Sequence, residues 1–304
     1  MCEVLLSICI PTYNRGWCIK QQIEMLSKSS SIQHGSVDVL ISDNCSTDDT
    51  QLIVEEAILS GFNCTYIRND ANLGMDGNFI SCFKKARGKY VWILGDDDFI
   101  YPESIEKIIE VLSSDKEYGL LHIDMNVDKT RPRFIHFSDK DLFLKHISYW
   151  ITFLSGNIVN SKYISQIALE KYVGTYFSQI PVYLTALGTE NNNLIINFKV
   201  FDFAKDAETN GGYNIFDVFV TNYLMIIKEG FNRKFYKYTT YLFLKKDILN
   251  SFLIQYVYKF LFKKDTCHSF DVRGAWKILF KHYWINLYFY FLIIRLTVRY
   301  LIKG

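Results

Sequence analysis

At 304 residues with a formal charge of +2, the chain suits one large domain, or one domain with a substantial appendage. Hydrophobic residues supply 49% of it and charged residues 22%, a globular composition with ample core material rather than a disordered one. The seven cysteines are scattered without a CxxC pair, which excludes a zinc ribbon or disulfide framework and makes a reducing cytoplasm the expected compartment.

Met1 to Ile10 lacks a basic start and a long apolar stretch, so a signal peptide is not expected. Val4 to Ile10 is a continuous apolar run, the pattern of a strand buried on both faces. Pro11 to Gly16 ends it, and Trp17 to Lys28 reads as a helix with Ile19, Ile23 and Leu26 on one side. Val37 to Ile41 is a second strand, closed by the polar stretch Ser42 to Asp49. Ser46 or Thr47 is placed to cap a helix over Thr50 to Leu59. A short strand over Cys64 to Ile67 precedes the polar loop Arg68 to Gly74. Asn78 to Ala86 reads as a helix stopped by Gly88, and Tyr90 to Leu94 as the fourth strand. Alternating strands and helices with short connections imply a parallel sheet built from right-handed crossovers. Each polar loop follows a strand, so the loops gather on one edge of that sheet, where open α/β sheets bind ligands.

The fourth strand ends in Gly95-Asp96-Asp97-Asp98. Acidic residues are common in turns, but three adjacent like charges repel and gain nothing there in stability. A hard divalent cation, taking carboxylate and phosphate oxygens together, removes that repulsion. A metal–diphosphate site is therefore preferred over a solvated turn.

Ser7-Ile8-Cys9-Ile10-Pro11-Thr12-Tyr13-Asn14-Arg15, then Ile41-Ser42-Asp43-Asn44-Cys45-Ser46-Thr47-Asp48, then Asn72-Leu73-Gly74 and the acidic triplet resemble family 2 glycosyltransferases. The match covers about the first 105 residues in order and spacing. Gly95 to Asp98, with Ser155-Gly156-Asn157-Ile158-Val159-Asn160, is similar to the branch of O-antigen sugar transferases such as abequosyltransferases. The resemblance implies an α/β fold of GT-A type: a Rossmann-like, mostly parallel sheet flanked by helices, with a C-terminal helical segment. It also implies inverting transfer from a nucleotide-sugar with Mn²⁺ or Mg²⁺. Pro11, Thr12, Tyr13, Asn14 and Arg15 fall on the loop that holds the nucleoside, where the Tyr13 ring suits stacking on the base. Asp43, with Asn44 beside it, matches the base-contacting position; a helix cap is its alternative role. Arg68, Asn72 and Gly74 match the loop near ribose and phosphates. Gly95 stands where the family often has its first aspartate, so Asp96 is expected to face the ribose. Asp98, with Asp97 as the alternative, is expected to hold the metal.

Pro102 to Leu112 reads as a helix with Ile105, Ile108, Ile109 and Leu112 buried, and Leu120 to Ile123 as a strand ending at Asp124. Asp128 to Arg133 is a surface turn, and Leu142 to Phe153 an apolar helix. Gly156 to Asn160 resembles the acceptor-lining segment of the family, or is a plain connection. An inverting transfer needs a carboxylate to take the acceptor proton. The family's usual Glu-Asp pair is missing from the matching stretch, Tyr176 to Pro181. Asp124, Asp206 and Glu208 become the candidates, while Glu190 falls at the far end of a helix over Val182 to Leu187. Leu194 to Phe203 is expected to run as one strand that returns the chain to the ligand edge, with Lys205 near the diphosphate.

From Lys228 onward fifteen Lys and Arg face four Asp and Glu, leaving the earlier part about nine units negative. Phe216 to Lys228, Tyr238 to Phe262 and Ala275 to Ile302 read as helices. The last carries an apolar run and then Arg295, Arg299 and Lys303 at helical spacing. These arginines interrupt a span of the roughly 20 apolar residues a crossing helix needs, so an interfacial helix on an anionic leaflet fits better. A bundle that packs on the catalytic domain or forms a homo-oligomer is the alternative; no nucleic-acid motif is present.

The expectation is a GT-A domain over 1–212 (donor half about 1–105, acceptor half about 106–212) and a membrane-associating segment over 213–304. Its donor is a nucleotide-sugar, UDP-linked ahead of CDP- or dTDP-linked. Its acceptor is a polyprenyl-diphosphate-linked glycan of O-antigen, lipopolysaccharide or capsule assembly, at the inner face of the cell membrane. The rivals are a sugar nucleotidyltransferase, which wants a glycine-rich phosphate loop that Pro11 to Gly16 does not provide, and a non-catalytic scaffold of the same fold.

Overall fold

The structure, a computed structural model, describes residues 4–204, 212–264 and 270–303. The chain divides into two compact units, Met1–Ala207 and Glu208–Gly304.

The first unit runs β1 (Leu6–Thr12), α1 (Gly16–Leu26), α2 (Ser30–Gln33), β2 (Val37–Asp43), α3 (Thr50–Leu59), β3 (Thr65–Arg68), α4 (Gly74–Lys85), β4 (Tyr90–Ile93) and β5 (Asp98–Ile100). It continues with α5 (Pro102–Leu112), β6 (Leu120–Ile123), β7 (Phe134–Phe137), α6 (Lys140–Ile147), β8 (Asn157–Asn160), α7 (Ile180–Thr189), β9 (Asn193–Ile196) and β10 (Phe201–Phe203). Eight strands form one sheet in the order β3-β2-β1-β4-β8-β6-β9-β7. β1, β2, β3 and β4 are parallel neighbours, as the alternation of short apolar runs and amphipathic helices requires. β8 is antiparallel to both β4 and β6, so β6 runs in the direction of β4, and β9 is parallel to β6. The carboxyl ends of β1, β2, β4 and β6 therefore open on the same edge.

β1 is buried at every residue, and Leu6, Ile8 and Ile10 join Val39, Ile41, Tyr90 and Trp92 in the core. Ile105, Ile108 and Leu112 anchor α5 there too, so the helical spacing in that segment translates directly into packing.

Several boundaries depart from expectation. α4 begins at Gly74, four residues before the expected start, because Asn72 Oδ1 accepts the Gly74 amide at 2.8 Å and closes the first turn. α3 is capped by neither Ser46 nor Thr47; Asp48 Oδ1 accepts the Thr50 amide at 3.1 Å. The expected helix Leu142 to Phe153 ends at Ile147 and continues as a 3-10 turn, Ser148–Thr152. Gly156 to Asn160 is mostly β8, a buried strand of the sheet rather than a plain connection. Leu194 to Phe203 splits into β9 and β10, and β10 pairs with β5 in a separate antiparallel ribbon. Antiparallel or not, that ribbon returns the chain to the acidic corner: the Ala204 amide donates to Asp97 O at 2.8 Å.

The second unit is helical: α8 (Tyr223–Asn232), α9 (Tyr238–Asp247), α10 (Ile254–Tyr256), α11 (Ala275–Tyr283) and α12 (Leu287–Lys303). π-helical turns at Ile248–Leu253 and Val257–Phe262 flank α10, so the expected helix over 238–262 is one winding run. Gly230 lies inside α8 rather than ending it. The expected helix from Ala275 breaks between Tyr283 and Leu287. α12 buries Phe289, Leu292 and Leu296 and exposes Leu287, Phe291, Ile294, Val298 and Leu301, a second apolar stripe at helical spacing. No helix among the described residues is long and apolar enough to cross a membrane.

Candidate active site

The three loops at the carboxyl ends of β1, β2 and β3 are bound to one another by side chains of the polar runs. The Asn14 amide donates to Ser46 Oγ at 2.8 Å, and Asn14 Oδ1 accepts the Thr47 amide at 2.7 Å. Asn14 sits at a φ of +53°, a region asparagine tolerates. Asp48 Oδ2 takes the Gly16 amide at 2.9 Å, which fixes the start of α1. Asn44 spans to the third loop: it donates to Asn72 Oδ1 at 2.8 Å and accepts the Leu73 amide at 2.9 Å. Asparagine serves here because one side chain donates and accepts together.

Asp43 is fully buried; its carboxylate accepts from the Ser46 amide at 2.9 Å and from Tyr66 Oη at 2.7 Å, with Arg68 Nε 3.6 Å away. It orders the loop after β2 and caps no helix. Arg68 also donates to Ser46 O at 2.9 Å. Tyr13 is 44% exposed, a ring free to receive a planar group, and Pro11 and Thr12 close β1 beneath it.

The acidic corner closes on the same loop. Thr12 Oγ1 donates to Asp96 Oδ2 at 2.7 Å, and Arg15 Nη1 bridges Asp96 Oδ1 at 2.9 Å and Asp97 Oδ2 at 2.8 Å. Ser155 Oγ accepts the Gly95 amide at 2.8 Å and donates to Asp98 Oδ2. Asp98 carries its backbone into β5, where Gln22 Nε2 donates to its carbonyl at 3.1 Å. Burial pushes Asp98 up to about 7, with Asp97 and Asp96 adding to the rise and Ser155 opposing it. Burial likewise pushes Asp96 up to about 6 against the pull of Arg15 and Thr12. One guanidinium thus pairs with two of three adjacent carboxylates and the third has only a hydroxyl, an arrangement short of positive charge.

Gly95 keeps this corner tight. A Cβ there would lie 2.8 Å from Asp98 Oδ2, 3.2 Å from Asp97 Oδ1 and 3.3 Å from Ser155 Oγ. A side chain at this position would collide with both carboxylates and the Ser155 hydroxyl, so only glycine fits the turn. Hard oxygen donors of this kind fit Mg²⁺ or Mn²⁺, which bind through one or two carboxylates and complete their shell with water and phosphate. Among the described residues no group of three or more His, Cys, Asp or Glu could hold a metal by itself.

Farther along the same edge, Asp124 follows β6 and accepts from the Asn126 amide at 2.8 Å and from His146 Nε2 at 3.2 Å. Burial raises its pKa, but these bonds and the nearby imidazoles outweigh that and hold it below the ordinary carboxylate value. Lys205, Asp206 and Glu208 lie outside the described residues. The segment Tyr176 to Pro181 carries no acid; Ser178 and Gln179 are buried and lead into α7. Asp76 binds this segment, accepting the amides of Gly174, Tyr176 and Ser178 at 2.8–3.1 Å. Glu190 sits at the opposite end of α7, 3.5 Å from Lys162 Nζ.

The structure thus brings Pro11 to Arg15, Asp43, Asn44, Arg68, Asn72, Gly74 and Asp96 to Asp98 into one set of joined loops, with Asp124 on the same edge. Sequence reasoning missed Gln22, Asp76 and His146, and cited Ser155 only as part of a motif. Their partners stand 22–102 residues away, so no local pattern marks them.

Residues 7–159 match the family model described as glycosyl transferase family 2. Over 121 residues the chain is 36% identical to abequosyltransferase RfbV of Salmonella typhimurium, covering 38% of this chain and 35% of that protein. The match spans little more than a third of the length of that relative. S. aureus TarS in complex with UDP superposes with a TM-score of 0.63 at 16% identity, over 86% of this chain and 76% of that one. A mannosyltransferase from Pyrobaculum calidifontis, in complex with GDP-Man and Mn²⁺, gives a TM-score of 0.51 at 12% identity, over 75% and 63%.

Proposed function

This chain belongs to glycosyl transferase family 2, and from that membership we propose that it moves a sugar, with inversion, from a nucleotide-sugar to a hydroxyl of a lipid-linked glycan. The observation that carries the reading is the crowding of Asp96, Asp97 and Asp98 at the sheet edge, with Arg15 and Thr12 on them, beside the joined loops of β1, β2 and β3. The donor's base stacks on Tyr13 near Asp43, its ribose meets Asp96, and its diphosphate lies between Arg15 and the Asp97 and Asp98 carboxylates. Asp97 and Asp98 hold Mn²⁺ or Mg²⁺, which when bound neutralises the diphosphate and stabilises it as leaving group. Arg15, beside Asp96 and Asp97, supplies a second positive group to the phosphates. Uridine is the expected base, in line with the TarS–UDP likeness, with CDP or dTDP as alternatives. The partial identity to an abequosyltransferase supports O-antigen or related surface polysaccharide assembly.

The second unit supports work at a membrane. The exposed stripe Leu287, Phe291, Ile294, Val298 and Leu301 lies on a helix that also carries Arg295 and Arg299, apolar contact with cations for anionic headgroups. On this reading the enzyme is peripheral on the inner face of the cell membrane, where a polyprenyl-diphosphate acceptor is presented. The test is turnover of UDP-, CDP- and dTDP-sugars with Mn²⁺, followed by nucleoside diphosphate release. Release from one of them that stops on removing metal and in Asp98→Ala supports the reading; equal release from Asp98→Ala overturns it.

A further inference from the structure

The transfer proposed above needs a group to take the acceptor's proton, and the segment that matches the family's usual base has none. Gln179 and Ser178 are neutral, buried and tied to Asp76 through the Ser178 amide. Asp124 is the sequence-derived base candidate that lies among the described residues, and its carboxylate is already engaged. Asp124 Oδ1 accepts from the Asn126 amide at 2.8 Å, and Oδ2 faces His146 Nε2 at 3.2 Å. A carboxylate held below its ordinary pKa is a poor proton acceptor at neutral pH, but a good partner for an imidazole.

The tautomer follows from that contact. An ionised carboxylate only accepts, so His146 carries its proton on Nε2 and presents the Nδ1 lone pair. Among the described residues Nδ1 has no hydrogen-bond partner. The His146 side chain is 27% exposed, so a hydroxyl can reach it. The Phe137 ring lies beside it, centroids 5.7 Å apart and tilted by 42°. The dyad's place is set by the sheet. β6 runs with β4, and one strand, β8, separates them, so Asp124 leaves the edge about 10 Å from the end of β4. The chain joins the two points directly: from His146 it passes through the 3-10 turn to Ser155, which binds Asp98.

We propose that His146, oriented by Asp124, is the proton acceptor of the transfer, in the role the missing acids would have filled. His146 Nδ1 takes the hydroxyl proton as the acceptor oxygen forms its bond to the anomeric carbon. The bond from that carbon to the diphosphate oxygen breaks, and its electron pair leaves with the nucleoside diphosphate. Asp124 stabilises the imidazolium, which returns its proton to water after product departs. This rests on the transferase reading and adds a residue to it.

The experiment follows nucleoside diphosphate release from UDP-glucose, UDP-N-acetylglucosamine, CDP-glucose and dTDP-glucose with Mn²⁺ and water as acceptor. It uses the full chain as wild type, His146→Ala and Asp124→Asn, with calorimetric binding of UDP and Mn²⁺ alongside. A general base contributes on the order of 100-fold or more. The expected result is a loss of that size in His146→Ala, UDP binding within about twofold of wild type, and recovery of turnover on adding imidazole. Asp124→Asn also loses turnover and is not rescued. Wild-type turnover in His146→Ala, or loss of UDP binding together with turnover and no rescue, overturns the assignment alone. A wild type that binds no nucleotide, or releases none from any donor, overturns the transferase reading and this inference with it.

Discussion

The crowding of Asp96, Asp97 and Asp98 has a cost that can be measured in the metal-free protein, and Asp98→Asn exposes it. Burial raises the folded-state pKa of Asp98 from the ordinary 3.8 to about 7. A carboxyl whose folded value is raised favours folding when protonated. Its cost is absent below about pH 4, grows through the window from 4 to 7, and is complete above 7. A gap of that width corresponds to about 4 kcal/mol at 1.36 kcal/mol per pH unit. Asparagine keeps the shape and the acceptor for Ser155 Oγ but never ionises. Asp98→Asn is therefore expected to stabilise the chelated protein by about 2–4 kcal/mol at pH 8 and by almost nothing at pH 3.5. Urea unfolding in EDTA at several pH values, followed by tryptophan fluorescence, is the assay, since Trp92 is buried and donates to Ser155 O at 2.8 Å. With saturating Mn²⁺ and UDP the order reverses, because only the wild type gains binding energy. A variant no more stable than wild type at pH 8 would refute the claim that this corner is held at an electrostatic cost.

Other outcomes follow from the same geometry. Gly95→Ala places a methyl among the Asp97, Asp98 and Ser155 oxygens and is expected to weaken Mn²⁺-dependent UDP binding at least tenfold while the chain still folds; calorimetry and urea unfolding separate the two. Asp76→Ala leaves three amides of the 174–178 segment without their acceptor and is expected to cost about 2–4 kcal/mol, read as a lower urea midpoint. Phe291→Asp with Ile294→Asp interrupts the exposed stripe of α12 and is expected to abolish co-sedimentation with vesicles rich in anionic lipid. Vesicle binding unchanged in that variant, with a loss of dimer in sedimentation, would assign the stripe to self-association instead.

The donor half was legible because its information is local. β1, β2 and β4 are short apolar runs, and each is followed by the polar residues that do the work, so strand end and loop chemistry are read together. Pro102 to Leu112 was legible for a similar reason, a proline at the first turn and a clean apolar stripe. The acceptor half was harder. β5 and β10 are three residues each and exist because they pair with one another, a contact that no window of sequence contains. β8 reads as a connection until β4 and β6 are seen to need a partner between them. The acidic triplet was found, but the partners that hold each of its carboxylates were not. Arg15 sorts Asp96 and Asp97 onto one guanidinium, and Ser155, 57 residues beyond Asp98, sorts Asp98 onto another partner. His146 went unnoticed for the same reason: nothing beside it marks it, and its meaning comes from Asp124, 22 residues earlier.

The most direct test of the central claim is a calorimetric titration of UDP and CDP, each with and without Mn²⁺, into wild type and Asp98→Ala. The account predicts binding of one nucleotide that requires the metal and is lost in the variant. Binding of neither nucleotide under any condition, or binding that is indifferent to both Mn²⁺ and Asp98, would contradict it.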